Sequence, residues 1–198
     1  MATRKSKINT PTILTLLRIV LVAPLMILLF EPAPWAKFLA LVIFIVASVT
    51  DLIDGKLARK NNQVTDLGAF LDPLADKMLV NLTIFALTLQ GVFDPWFFPV
   101  ILIRDFAVDG MRMMVAKTGE TVSASIWGKA KTMTQMIIIG IILFETGLFM
   151  IPEVAAAAPE WVFNIAVNFG FIGEFVILFL TVFSGAKYLI DGYKKAIK

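Results

Sequence analysis

Val49 to Asp76 reads VTDLIDGKLARKNNQVTDLGAFLDPLAD, and it sets Asp51, Asp54, Asp72 and Asp76 between two strongly apolar runs. The chain around it is 59% hydrophobic and only 17% charged, with mean hydropathy +0.85. A soluble domain of this size has far more polar surface to cover. Sustained apolar runs near twenty residues instead mark membrane-spanning helices. The sequence holds no cysteine and no histidine. A disulfide framework is therefore excluded, as is a thiolate or imidazole metal site. Any bound metal must take oxygen ligands, which selects a hard cation such as magnesium, manganese or calcium.

Working outward from this stretch, about six spanning segments are predicted, over 11–30, 35–57, 73–90, 95–115, 126–150 and 161–189. Connections are short, no internal repeat is visible and no linker divides the chain. The expectation is one all-α integral membrane domain over residues 1–198, with a short N-terminal juxtamembrane segment. The basic start RKSK before an apolar run has the outline of a signal peptide. The run is too long, carries Arg18 and lacks a convincing cleavage site, so it reads as a retained first span.

Basic residues orient the bundle. Six spans put both termini on one side, and that side holds Arg4, Lys5, Lys7, Arg59, Lys60, Lys117, Lys129, Lys131, Lys194, Lys195 and Lys198. The other side holds little beyond Lys37, with Glu31, Asp94, Glu153 and Glu160. Positive charge stays inside, so both termini are expected in the cytoplasm. The net charge of +3 reads as attraction to an anionic leaflet and gives no support for nucleic-acid binding. The alanine-rich EVAAAAPE is expected to be an outer loop without chemistry.

A helix needs about 20 residues to cross ~30 Å of hydrocarbon. Counted from Trp35, an interfacial anchor, that length ends near Asp54, so Asp51 and Asp54 fall in the last turns at the cytoplasmic interface. Being three apart, they share a helix face. Asp72 before Pro73 has the form of an N-cap followed by proline at the first helical position. Asp76, four residues on, lies on the same face as Asp72. Capping accounts for Asp72 alone, and a solvated loop accounts for any single aspartate. Neither accounts for four carboxylates converging at two helix ends, whose mutual repulsion a divalent cation would relieve. Gly55 inside a helix is about 1 kcal/mol worse than alanine. Together with Gly68, it suits close approach of a ligand or a second backbone. Helix packing is the plain alternative for Gly55 and Ala58, and Arg59 offers a planar donor fork suited to phosphate.

Together these residues read Asp51-x2-Asp54-Gly55-x2-Ala58-Arg59-x8-Gly68-x3-Asp72-x3-Asp76. The pattern resembles, without gap or substitution, the signature of the CDP-alcohol phosphotransferase family. That resemblance implies six membrane helices, usually a homodimer, around a polar cavity open to the cytoplasm. It implies transfer of a phosphatidyl group from CDP-diacylglycerol to an alcohol, with release of CMP. It further implies two divalent cations, Mg2+ or Mn2+, held by Asp51, Asp54, Asp72 and Asp76, with Asp76 also acting as general base. By the same resemblance the nucleotide of the CDP-lipid lies along Gly55, Ala58 and Arg59, with Thr65 and Gly68 completing the pocket. The diacylglycerol tails stay among the membrane lipids, which explains a site at the interface.

The acceptor must be read elsewhere. The opening INTPTILTLLR resembles the N-P-N-x-L-T-x-x-R start of bacterial members, with Thr12 in place of the second asparagine. The segment from Arg104 to Gln135 is similar to the bacterial phosphatidylglycerophosphate synthase branch. It shares Arg112 and the run Gly128-Lys129-x-Lys131-Thr132-x2-Gln135, and has Arg104-Asp105 where that branch typically has Arg-Glu. The acceptor this implies is sn-glycerol 3-phosphate, a dianion that needs a cationic pocket. Arg112, late in the fourth span, and Lys129 and Lys131, opening the fifth, are the candidates to hold its phosphate. Positive-inside topology alone would also place lysines there. Arg104 falls nearer mid-span and is expected to pair with an acid on another helix. Asp105, Asp109 and Arg112 share a face, which offers Arg112 a local partner.

Three alternatives bear on the reading. Other members of the same family make phosphatidylserine, phosphatidylinositol phosphate or cardiolipin, and the arginine and lysine set weighs against serine but not against inositol phosphate. Intramembrane prenyltransferases also use aspartates and magnesium, but lack the Ala-Arg and Gly68 elements. A transporter or channel would spread carboxylates through the bilayer depth with repeated or broken helices, whereas here they cluster at one face.

Overall fold

The computed structural model describes residues 10–60, 66–117 and 125–196, and their side chains except at 10–12, 51–60, 66–70, 72, 73, 76, 117, 195 and 196. Every described element is a helix: α1 (Thr10–Phe30), α2 (Pro34–Lys60), α3 (Asp66–Leu89), α4 (Phe97–Lys117), α5 (Ile126–Phe149), α6 (Pro152–Ala157) and α7 (Glu160–Ala196). The protein is thus an all-α membrane protein, with six long helices where six spans are expected. Among the described residues, the windows Ile13–Phe30, Ile126–Phe149 and Glu160–Lys194 are long and apolar enough to cross a bilayer. Shorter apolar stretches among the described residues are Pro34–Thr50 of α2 and Lys77–Leu89 of α3.

Local chemistry sets the boundaries. Pro32 and Pro34 interrupt the chain after Phe30, and Pro34 then opens α2, where a missing N–H costs nothing. α3 closes on Gly91, whose φ of 75° is left-handed. The Gly91 N–H donates to the Thr88 carbonyl and the Val92 N–H to the Leu87 carbonyl, each at 3.0 Å, so two otherwise orphaned carbonyls are satisfied. At the start of α5 the Ser125 hydroxyl accepts from the Gly128 N–H at 3.0 Å, an N-cap bond. The alanine run expected as loop forms α6 instead, because Pro152 starts a helix and alanine favours one.

Two compact units divide the chain: residues 1–86 with 140–157, and residues 87–139 with 158–198. In the first unit α1 packs along α2. Arg18 Nε donates to the Ala47 carbonyl at 3.2 Å, and Lys37 donates to the Leu29 carbonyl. Lys37, the basic residue expected on the outer side, is therefore buried against its own unit. Phe38 and Phe144 meet edge-on, with centroids 6.0 Å apart.

In the second unit α4 packs along α7. Glycines on α7 make the close approach possible. A Cβ built on Gly185 would lie 2.8 Å from Arg104 Cγ, and one on Gly192 only 2.4 Å from Met111 Cγ. Small residues at helix contacts are the usual solution where lipid removes the hydrophobic drive to pack. Trp35, Trp96 and Trp161 stand exposed at the starts of α2, α4 and α7, positions suited to a membrane interface.

Candidate active site

The C-terminal end of α2 carries Asp51, Asp54, Gly55, Ala58 and Arg59, and the N-terminal part of α3 carries Gly68, Asp72 and Asp76. Thr65, in the connection between them, lies outside the described residues. Asp72 does not cap α3. The helix begins at Asp66, so Asp72 sits in its second turn and Pro73 lies within the helical bounds. Local dipeptide chemistry suggested a start there, but the helix continues through it. A backbone donor lost to proline inside a membrane helix can be compensated by its surroundings.

Helical register supplies the geometry of these positions. On α2 the buried line Ala36, Ala40, Phe44, Ala47 advances by three or four residues at each step. The next steps of the same line are Asp51, then Asp54 or Gly55, then Ala58. On α3 the line Gly68, Asp72, Asp76 continues into Val80, Thr83 and Leu87, which are buried. The four carboxylate positions therefore prolong the interior lines of two helices. A set of solvated loop charges would not fall into that register.

The described neighbours fit a polar end to these lines. The Ala47 carbonyl, one turn before Asp51, accepts from Arg18 Nε and also from Thr50 Oγ1, at 3.2 and 3.3 Å. Among the described residues, no group of three or more acidic side chains could hold a metal ion. The side chains of the four aspartates stand outside that set. The donor chemistry itself fits a hard divalent cation, since carboxylates at one-turn spacing are present and the chain has no competing histidine or cysteine.

The expected acceptor residues lie in the second unit and differ among themselves. Arg112 is exposed on α4, where its Nε donates to the Tyr188 hydroxyl of α7 at 3.3 Å and its guanidinium lies 5.8 Å from that ring's centroid. Of the two acids that share a face with Arg112, Asp105 and Asp109, Asp105 is engaged by Arg104 and Lys131 instead. Lys129, in the first turn of α5, is exposed. Lys131 is buried, and its ammonium donates to both carboxylate oxygens of Asp105, at 2.9 and 3.2 Å.

Arg104 was expected to pair with an acid on another helix. It pairs with its own neighbour Asp105, at 3.0 Å, and its link to another helix is a 2.8 Å bond to the Ser184 hydroxyl of α7. Sequence reasoning missed Ser184 and Tyr188, since a serine and a tyrosine in a long apolar helix carry no motif. The signal available was the charge on α4, which must find partners somewhere in an apolar unit.

Comparison with known proteins adds independent findings. A profile of the CDP-alcohol phosphatidyltransferase family matches residues 8–172, a stretch that includes both the aspartate positions and the run from Arg104 to Gln135. The chain is 36% identical over 198 residues to the CDP-diacylglycerol–glycerol-3-phosphate 3-phosphatidyltransferase of Bacillus subtilis (strain 168), covering 94% of this chain and 96% of that one. The enzyme of the same name from Escherichia coli (strain K12) is 36% identical over 148 residues, covering 72% of this chain and 80% of its own. That from Shigella flexneri serotype 5b (strain 8401) gives the same figures.

Proposed function

This chain belongs to the CDP-alcohol phosphatidyltransferase family, and from that premise we propose that it transfers the phosphatidyl group of CDP-diacylglycerol to sn-glycerol 3-phosphate, giving phosphatidylglycerophosphate and CMP. The observation that carries the reading is the register of the aspartates. Both pairs prolong buried lines of α2 and α3, which suits a polar cavity at the end of a helical bundle. The relatives of that printed activity support the choice of acceptor, since two of them match over 72% or more of this chain.

In this reading Asp51, Asp54, Asp72 and Asp76 hold two divalent cations, Mg2+ or Mn2+. Bound cations would neutralise the pyrophosphate oxygens and the charge that builds on the departing CMP. Asp76 takes the proton of the acceptor's hydroxyl as its oxygen forms a bond to the phosphatidyl phosphorus. The bond from that phosphorus to the CMP oxygen breaks, and CMP leaves with the electron pair. Gly55, Ala58, Arg59, Thr65 and Gly68 bind the nucleotide, and Arg112, Lys129 and Lys131 receive the acceptor phosphate. The chain works as one catalytic domain and as a homodimer in a bacterial cytoplasmic membrane, with both termini and the site on the cytoplasmic side. The excess of lysine and arginine on that side supports the orientation.

The test is CMP release by the purified protein with CDP-diacylglycerol and a panel of acceptors, with and without a chelator. Turnover is expected with glycerol 3-phosphate, and it should vanish on chelation and return with added Mg2+ or Mn2+. Turnover with inositol phosphate or serine, and none with glycerol 3-phosphate, would overturn the acceptor and keep the family.

A further inference from the structure

The second unit buries a charged cluster whose shape the proposed chemistry does not by itself require. Oδ1 of Asp105 accepts from Arg104 at 3.0 Å and from Lys131 at 2.9 Å, while Oδ2 accepts from Lys131 at 3.2 Å. Arg104 reaches on to Ser184, so the cluster ties α4 to α5 and α7. Side-chain exposures of 16%, 8% and 5% for Arg104, Asp105 and Lys131 place it away from solvent. Apolar residues of similar volume often serve stability as well or better. Ionisable residues inside membrane helices point to function by default.

Two observations separate this cluster from a structural ion pair. Two cations converge on one carboxylate where burial makes charge costly. Donors are also in surplus. Arg104 Nε is buried without a hydrogen-bond partner, as is the amide nitrogen of Gln135, one turn beyond Lys131 on the same face of α5. Two cations meeting at one carboxylate, together with unused buried donors, are complementary to an anion. A lysine is a point charge on a flexible four-carbon stem. A partner that fixes its direction before binding lowers the ordering cost of meeting that anion.

We propose that Asp105 is a positioning residue for the acceptor phosphate, holding the Lys131 ammonium, with Arg104 bracing the carboxylate, so that glycerol 3-phosphate meets a pre-oriented cation. This rests on the function proposed above and deepens it. The acceptor's affinity is thereby tied to a residue that never touches the nucleotide.

The experiment uses the full-length protein in detergent–lipid micelles and measures kcat and both KM values for four variants. Asp105→Asn should raise KM for glycerol 3-phosphate about tenfold, the order of one charge-assisted hydrogen bond, with KM for CDP-diacylglycerol within about twofold of wild type. Asp105→Glu should restore most of that loss. Lys131→Met should weaken the acceptor similarly, and Asp105→Asn/Lys131→Met should be no worse than Lys131→Met alone, because the aspartate acts through the lysine.

The double variant removes one charge of each sign and so leaves the net charge of the cluster unchanged. If Asp105→Asn does not fold, a wild-type acceptor KM in the double variant overturns the proposal. An unchanged acceptor KM in folded Asp105→Asn does the same, as does a parallel rise of both KM values with a lowered melting temperature. Wild-type protein without activity on glycerol 3-phosphate would instead overturn the function proposed above, and the two failures are distinct.

Discussion

The aspartate-bearing ends of α2 and α3 and the cluster around Asp105 both place charge in a chain that is 59% hydrophobic, and they solve the problem in opposite ways. At the helix ends the charges are all of one sign and stand at one-turn spacing on lines that are buried further along. Their stabilising partner, in the proposed function, comes from outside the chain as a cation. Around Asp105 the charges are of both signs and meet within the fold, Arg104 from the same helix and Lys131 from α5, at distances of 2.9–3.2 Å. The first arrangement is written along single helices. The second exists only because α4, α5 and α7 are packed together. The contrast shows why the proposed reacting groups are easy to name from sequence while the groups proposed to orient the acceptor are not.

The largest expected effect breaks the aspartate side. Asp76→Asn should lower CMP release by about 10²–10⁴-fold, the range for loss of a positioned base. Folding and CDP-lipid binding should be retained, as read by thermal unfolding and by binding of labelled CDP-diacylglycerol. Wild-type turnover in that variant would remove Asp76 as the base.

A smaller effect tests the packing on which the Asp105 side depends. Gly185→Val brings a side chain to within 2.8 Å of Arg104 Cγ. It should destabilise the protein by about 1–3 kcal/mol through overpacking, measured as a lowered melting temperature in detergent. It should also displace Arg104 from Ser184, raising KM for glycerol 3-phosphate and leaving KM for CDP-diacylglycerol unchanged. Equal changes in both would show that the two regions are not separable in this way.

Smallest is a change that touches neither set of charges. Ser125→Ala removes the cap accepted from Gly128 at 3.0 Å and should cost about 1 kcal/mol. The melting temperature reports that loss, and both KM values should stay at their wild-type levels. A shift confined to the acceptor KM would show that the start of α5, and with it Lys129, is held in place by this cap.

Much of the fold was legible in the sequence because apolar runs of membrane length leave the chain few choices. The six long helices correspond to the six predicted segments, with boundaries displaced mainly at the ends that carry charge. Helix α3 shows the limit. Asp72-Pro73 reads locally as a helix start, yet the helix begins at Asp66, and the line through Val80, Thr83 and Leu87 runs back past the proline to Asp76, Asp72 and Gly68. The alanine run after Met150 was read as loop and forms α6, since helix propensity acted over six residues that no spanning pattern covered. For Arg104, sequence reasoning identified the need for a partner and misplaced it. A mid-helix cation in an apolar unit must be paired, but which group reaches it depends on helix rotation and spacing, which periodicity does not encode.

What the sequence determined by itself is the family, the helical membrane class and the set of candidate ligands. Each rests on residue type and on spacing along one chain, and the rise and turn of a helix convert spacing into a shared face without further information. What only the tertiary structure decided is the partner of each of these charges: Asp105 for Lys131, Ser184 for Arg104 and Tyr188 for Arg112. Those choices turn on α7 approaching α4 closely at Gly185 and Gly192. A hydrogen bond is satisfied within a few tenths of an ångström or not at all, and that tolerance is set by packing between helices far apart in the chain.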